Sequence, residues 1–285
     1  MKRLISILAA AMVAVLPLAA ESASELDFRE VKTFDVENFD ALDVSWIYKV
    51  ELTQGKNQGV TIEAPDFIME YIDVRVRKSR LILSVKDMPL SVRSKVETGK
   101  YEILATLSMK KLSSLEMSGA SKLFADGQFH TSDDVFTMEL SGASLVKDLY
   151  IIASKADIDC SGASKFELKG KLKDVKMNLS GAAKGSIDSD IKSLCMDLSG
   201  ASRITMNGTV GDMNASGSGA AKMDMLDCPV LWADVELSGA SKANIEVHET
   251  LKLHVSGAST LGYKAGDKLQ ILETEVSRGA TLRRM

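Results

Sequence analysis

Nine times between residues 118 and 281 the chain writes a form of Ser-Gly-Ala-Ser. Eight copies are clear, with glycines at Gly119, Gly142, Gly162, Gly181, Gly200, Gly219, Gly239 and Gly257. A degenerate ninth, Ser277-Arg278-Gly279-Ala280-Thr281, follows. Successive glycines are 23, 20, 19, 19, 19, 20, 18 and 22 residues apart. A period near twenty marks a solenoid, in which each repeat is one coil that buries its apolar side only against its neighbours.

Aligning the repeats on their glycine gives the strands. Two residues before it stand Met117, Leu140, Cys160, Leu179, Leu198, Leu237 and Val255, with Gly217 the exception. Four before it the residues are again apolar, from Leu115 and Met138 to Leu253, and those between are polar. This in-out-in alternation is that of a half-buried strand. Four and six residues past the glycine the pattern resumes, as in Phe166 and Leu168 or Ile204 and Met206. The reading is an all-β, parallel β-helix, right-handed by analogy, with coils of about twenty residues. Further turns are expected near Gly127, Gly170 and Gly208.

At the corner, glycine supplies a backbone that bends sharply. Alanine is expected to fill a tight interior, and serine to hydrogen-bond nearby backbone. The serines also resemble a row of nucleophiles. A nucleophilic serine needs one base in one place, and no histidine recurs beside them; the chain has only His130, His248 and His254.

The first twenty residues read as a secretory signal. Lys2 and Arg3 precede an apolar run, Leu4 to Leu16, and Leu18-Ala19-Ala20 offers a cleavage site. An uncleaved anchor is the alternative. No cysteine stands beside the cleavage region, which argues against a lipid-modified N-terminus. Residues 21–110 lack the motif yet alternate in several stretches. They are expected to form irregular first coils and a cap, since a bare solenoid end exposes sheet edges; a separate β-sandwich is the alternative. Lys86 to Gly99, with Pro89 and mixed charges, reads as a loop. Residues 111–285 form the repeat region. The three cysteines, Cys160, Cys195 and Cys228, have no metal-ligand spacing and read as small apolar fillers, with a disulfide as the alternative.

The entry Phe-Asp-Ala-Leu-Asp-Val-Ser, the strand ending Val-Glu-Leu-Thr-Gln-Gly and the repeated Leu-Ser-Gly-Ala-Ser-Lys resemble the bacterial head GIN family, labelled a putative auto-transporter adhesin. The resemblance runs over residues 35 to 265. It implies a parallel β-helix-like fold and an exported protein, often of the Bacteroidetes, with no established biochemical activity. An auto-transporter carries a C-terminal membrane barrel, and nothing after Gly257 has that length, so self-export by that route is not expected.

Two charged rows carry the candidate chemistry. The acidic row, in the strand before the corner, is Glu116, Glu139, Asp159, Asp197, Glu236 and Glu275. The basic row, three past the glycine, is Lys122, Lys165, Lys184, Arg203, Lys222 and Lys242. Flanking one corner, the two rows are placed to offset one another. They read as a solvated face that discourages lateral sheet pairing, as a linear surface for glycans, anionic polymers or a protein at the cell envelope, or as a calcium site along the acids. The Gly-Gly-x-Gly-x-Asp repeat of calcium-binding solenoids is absent. With 35 basic and 39 acidic residues the composition points away from nucleic acid. Aromatics make up 5 %, with Trp46 and Trp232 the only tryptophans, which argues against a polysaccharide-cleaving cleft. The expectation is an exported, non-enzymatic binding or adhesin-like surface without metal or cofactor. A structural envelope component is the alternative, with a carbohydrate-active enzyme behind it.

Overall fold

The alternation read around each glycine recurs from coil to coil through the stack. The computed structural model describes residues 28–97 and 101–285, so the signal segment 1–20 and the start of the region 21–110 lie outside the described residues. The chain forms a β-solenoid of about nine turns. Successive coils pair in parallel, one residue to one: Leu179, Leu198, Gly217, Leu237 and Val255 form one inward column. In the coil after Gly200 the buried residues are Ser202, Ile204, Met206, Val210, Met213, Ala215 and Gly217. The step from Val210 to Met213 breaks the alternation, so Gly211 and Asp212 both face outward. The same slip recurs at Lys173-Asp174, Lys192-Ser193 and Leu231-Trp232. These coils thus have a sharp corner at the motif and a second, gentler bend that leaves two neighbouring side chains outside.

The corner departs from expectation in one respect. Alanine faces solvent at Ala120, Ala143, Ala163, Ala182, Ala201, Ala220, Ala240 and Ala258. The residue after it is the interior one, and Ser121, Ser144, Ser164, Ser202, Ser241 and Ser259 are all at most 2 % exposed. The hydroxyls of Ser121, Ser144 and Ser164 donate to the carbonyls of Ser118, Ser141 and Ser161, at 2.9, 2.9 and 2.8 Å. Two coils carry Ala183 and Ala221 there instead, also buried. Ser202, between them in the stack, has no hydrogen-bond partner for its hydroxyl among the described residues.

The glycine has two physical duties. Its φ is +66° to +72° in the eight clear copies, a left-handed backbone that costs other L-residues about 1–2 kcal/mol. Its missing side chain also lets the corners touch: a Cβ on Gly200 would lie 2.7 Å from the carbonyl oxygen of Gly181. That carbonyl accepts the amide of Ala201 at 2.7 Å, and the same bond links each clear corner to the one beneath it. Of the three further glycines expected to mark turns, Gly127 and Gly208 have positive φ. Gly170 lies inside the strand Lys165–Leu179, where a Cβ would stand 2.1 Å from the carbonyl oxygen of Ile151. It serves close backbone approach, not a turn.

The N-terminal part enters the stack out of sequence order. Strands Ala41–Val44 and Tyr48–Gln54 pair in parallel with Ser114–Met117 and Lys122–Asp126 on one side. On the other side they pair with Arg80–Val85 and Ile103–Met109. Residues 59–109 therefore lie beyond the coil that precedes them in sequence. Antiparallel pairing of Arg29–Phe34 with Gly59–Pro65, and of Ile72–Arg77 with Arg80–Val85, closes this end. The segment read as a loop contains a helix, Leu90–Glu97. Pro89 suits a helix start, its carbonyl accepts the amides of Val92 and Arg93, and Val96 is buried; one apolar anchor among charges left no periodic signal. At the far end, Gln270–Val276 and Thr281–Arg284 are the outermost strands, with Ile271, Leu272 and Val276 exposed.

All three cysteines are free. Burial pushes the thiols of Cys160 and Cys228 up to about 12, as expected of apolar fillers. Cys195 is exposed, so it is not one; it falls on an outward position of its strand.

Replacing Gly200 by Ala, with its methyl group driven into the Gly181 carbonyl, is expected to lower stability by at least about 1–2 kcal/mol. Ala201→Ser, on the outside of the same turn, is expected to stay within about 0.5 kcal/mol. Urea unfolding midpoints of the two variants check the contrast.

Candidate binding faces

Strand register turns the two charged rows into columns. Lys122 pairs with Leu145, then Lys165, Lys184, Arg203, Lys222 and Lys242 follow on successive strands. Leu145 interrupts the row, leaving five consecutive cations from Lys165 to Lys242, all exposed. Strand spacing is about 4.8 Å, so neighbouring charges repel by roughly 1 kcal/mol even in water. None of the five forms an ion pair among the described residues. The adjacent outward column neutralises itself instead, with Lys147 3.6 Å from Glu167. A shallow groove of about 380 Å³ runs beside Lys165 and Lys184, with Leu145, Phe166 and Ser186 in its walls.

The acidic column runs Asp43, Glu116, Glu139, Asp159, Asn178, Asp197, Ser216, Glu236, His254 and Glu275. From Asp159 onward a neutral donor or an imidazole separates successive acids. Asn178 donates to Asp159 at 2.6 Å, Ser216 donates to Asp197, and His254 Nδ1 lies 3.1 Å from Glu275. At the N-terminal end Arg80 pairs with Glu116. Asp43, Glu116, Glu139 and Asp159 line a groove of about 420 Å³. The mutual offset expected of the two rows is not realised, for no side chain of one pairs with the other among the described residues. Nor do any three carboxylates of the column converge within 4.8 Å; the one group that does among the described residues is His254 with Glu273 and Glu275, on the exposed terminal edge.

Both columns begin one coil earlier than the motif. Asp43 and Lys49 stand in register with Glu116 and Lys122. Their corner reads Ser45-Trp46-Ile47-Tyr48, with Trp46 in the glycine's place at φ +74°. Tyr48 takes the inner serine's place, buried, with its hydroxyl donating to the Ser84 carbonyl at 2.8 Å. No glycine marks that corner, so alignment on glycine passes over it. The serine column, for its part, is buried and largely spent on backbone carbonyls, which leaves it nothing to offer as a set of nucleophiles.

Flat outer faces bearing one kind of side chain coil after coil define a parallel β-solenoid with ladder-like surfaces. The chain belongs to the head GIN domain family: the family model described as "Putative auto-transporter adhesin, head GIN domain" matches residues 38–188 and 183–266. Three solved structures share the fold. A putative adhesin from Parabacteroides merdae ATCC 43184 has a TM-score of 0.65 at 14 % identity, over 90 % of this chain and 96 % of that one. A putative adhesin from Parabacteroides distasonis ATCC 8503 has a TM-score of 0.67 at 14 % identity, over 91 % and 98 %. A protein from the same organism, described as a putative lipid binding protein, has a TM-score of 0.63 at 12 % identity, over 90 % and 96 %. No curated protein matches the sequence. No helix among the described residues is long and apolar enough to cross a membrane.

The hydrogen bond to Glu275, joined by the charges of Glu275, Glu273 and Asp234, raises the pKa of His254 against a smaller opposing effect of desolvation. Its contribution to stability is therefore complete below the unfolded imidazole value of about 6.5 and fades as pH rises through the folded value. An NMR titration of His254 is expected to give a midpoint above that of a free imidazole, and Glu275→Gln to bring it down.

Proposed function

We propose that this protein is an exported, non-enzymatic binding protein of adhesin type, whose contact surface is the cation column Lys165, Lys184, Arg203, Lys222 and Lys242, with Lys122 as an outlier. The observation that carries the reading is five exposed cations in register, held at a mutual repulsive cost with no ion pair among the described residues. A linear anionic polymer laid along the solenoid axis would relieve that repulsion at every step, releasing its own counterions as it binds. The acidic column of Glu116, Glu139, Asp159, Asp197 and Glu236 lies on the other side of the corners, so the polymer would have one face to choose. Membership of a family described as adhesins supports the role at a cell surface, and contact of this kind requires no metal or cofactor. The reading places the protein in the cell envelope or outside it.

Binding of heparin and of polygalacturonate, measured by calorimetry at two salt concentrations, tests the proposal. The wild type is expected to bind at least one of them, less tightly at higher salt. Lys165→Glu/Lys184→Glu/Arg203→Glu is expected to weaken binding at least about tenfold, or 1.4 kcal/mol, with an unchanged melting temperature. Equal binding by the folded triple variant, or no binding of either polymer by the wild type, would overturn it.

A further inference from the structure

The gentler bend presents neighbouring outward side chains in coil after coil, and in one coil they break the rule the others keep. In the preceding coils the pair is Lys173-Asp174, Lys192-Ser193 and Gly211-Asp212, and the following coil has three outward residues, His248, Glu249 and Thr250. Between these stands Leu231-Trp232, 43 % and 47 % exposed. The other large exposed apolar side chains among the described residues lie in the helix Leu90–Glu97 or at the two ends of the stack. Pairing with the preceding coil stays in register here, while toward the following coil it shifts between Val230 and Trp232, where that coil carries one residue more.

The surroundings of the indole define a chemistry. Asp212 and Thr250 flank Trp232 on the adjacent strands, and Asn214, Asp234 and Lys252 stand in the next outward column. Together they line a groove of about 310 Å³, at the small end of the range for ligand sites. Asp212, Asn214 and Lys252 form no side-chain hydrogen bond or ion pair among the described residues, so their hydrogen-bonding capacity is unspent. The negative face of an exposed indole attracts weakly positive C–H groups, which a pyranose ring offers on one side while its hydroxyls project around the rim. Carboxylates accept from such hydroxyls, and the amide and ammonium donate to them. Two carboxylates against one lysine disfavour an acidic sugar. A flat protein partner would call for a wider apolar patch than one Leu-Trp pair.

We propose that Trp232, with Asp212, Asn214, Asp234 and Lys252, forms a binding subsite for a neutral hexose unit of a glycan. It lies on the face of the acidic column, apart from the cation column, and does not depend on it.

Titration of the intact protein with cellohexaose, mannohexaose and chitohexaose, followed by calorimetry and intrinsic fluorescence, tests the subsite. At least one oligosaccharide is expected to bind in the millimolar range and to change the indole emission. Trp232→Ala should weaken that binding at least tenfold. Trp232→Phe should keep measurable heat of binding while losing most of the fluorescence change, since Trp46 alone remains. The variant with Lys165, Lys184 and Arg203 reversed to Glu should bind the oligosaccharide as the wild type does, which separates this site from the cation column. Absence of binding to all three sugars, or undiminished binding by Trp232→Ala, would overturn the proposal. Trp232-dependent capture of a protein without sugar binding would do so as well.

Discussion

One backbone hydrogen bond, repeated from coil to coil, sets the geometry of this molecule: from Ala143 to Ala258 the amide of each corner alanine donates to the carbonyl of the glycine one coil below. The bond forms only if the two corners nearly touch, and they touch only because the residue between the strands has no side chain and a left-handed backbone. Once the corners are superposed, every position before and after them is superposed too. The inward columns of leucine, methionine and valine, the buried serines and the charged ladders all inherit their register from that contact. The first corner shows how strong the constraint is, since Trp46 is held at the same positive φ that glycine adopts elsewhere. That is a costly conformation for so bulky a residue, and the packing of the coil around it must offset the cost.

Superposition makes charge a collective property. A lone exposed lysine is ordinary, whereas the same lysine repeated at strand spacing builds a line of potential. The two sides of the corner handle this differently. Toward its C-terminal half the acidic column is diluted by Asn178, Ser216 and His254, each hydrogen-bonded to a neighbouring acid. The basic column has no such dilution between Lys165 and Lys242. The difference lies in which residue types occupy equivalent places, and not in the backbone, which is the same on both faces.

Much of this was legible in the sequence. The fixed glycine spacing gave the coil, the alternation gave its inward columns, and membership of the head GIN family could be read from the motif. The misreadings have physical causes. Parity alone places the residue two past the glycine inside, along with those two and four before it; judging alanine interior because it is small overrode that parity and put serine and alanine the wrong way round. The second bend escaped notice because a phase slip between strands leaves no recurring glycine or proline behind: of the slip pairs only Gly211-Asp212 contains one. Leu231 and Trp232 sit on that slip, so an aromatic count treated the tryptophan as one of two scattered residues, when its neighbours in register make it an exception. The coil at Trp46 was hidden for a related reason: a left-handed corner held by tryptophan has no sequence mark at all.

The direction of the inter-coil hydrogen bonds has a mechanical consequence. They run along the axis of the stack, so tension between its two ends pulls each coil directly away from the next, and does not shear all the bonds of a sheet at once. Nothing beyond its immediate neighbours holds a coil in place. The terminal strand pair Gln270–Val276 and Thr281–Arg284, bonded on one side only, is the natural first to yield. Each coil of 19 residues that peels away then releases roughly 60 Å of extended chain. Under load the molecule would lengthen in steps and dissipate work at each one, while the coils still stacked keep their surfaces intact.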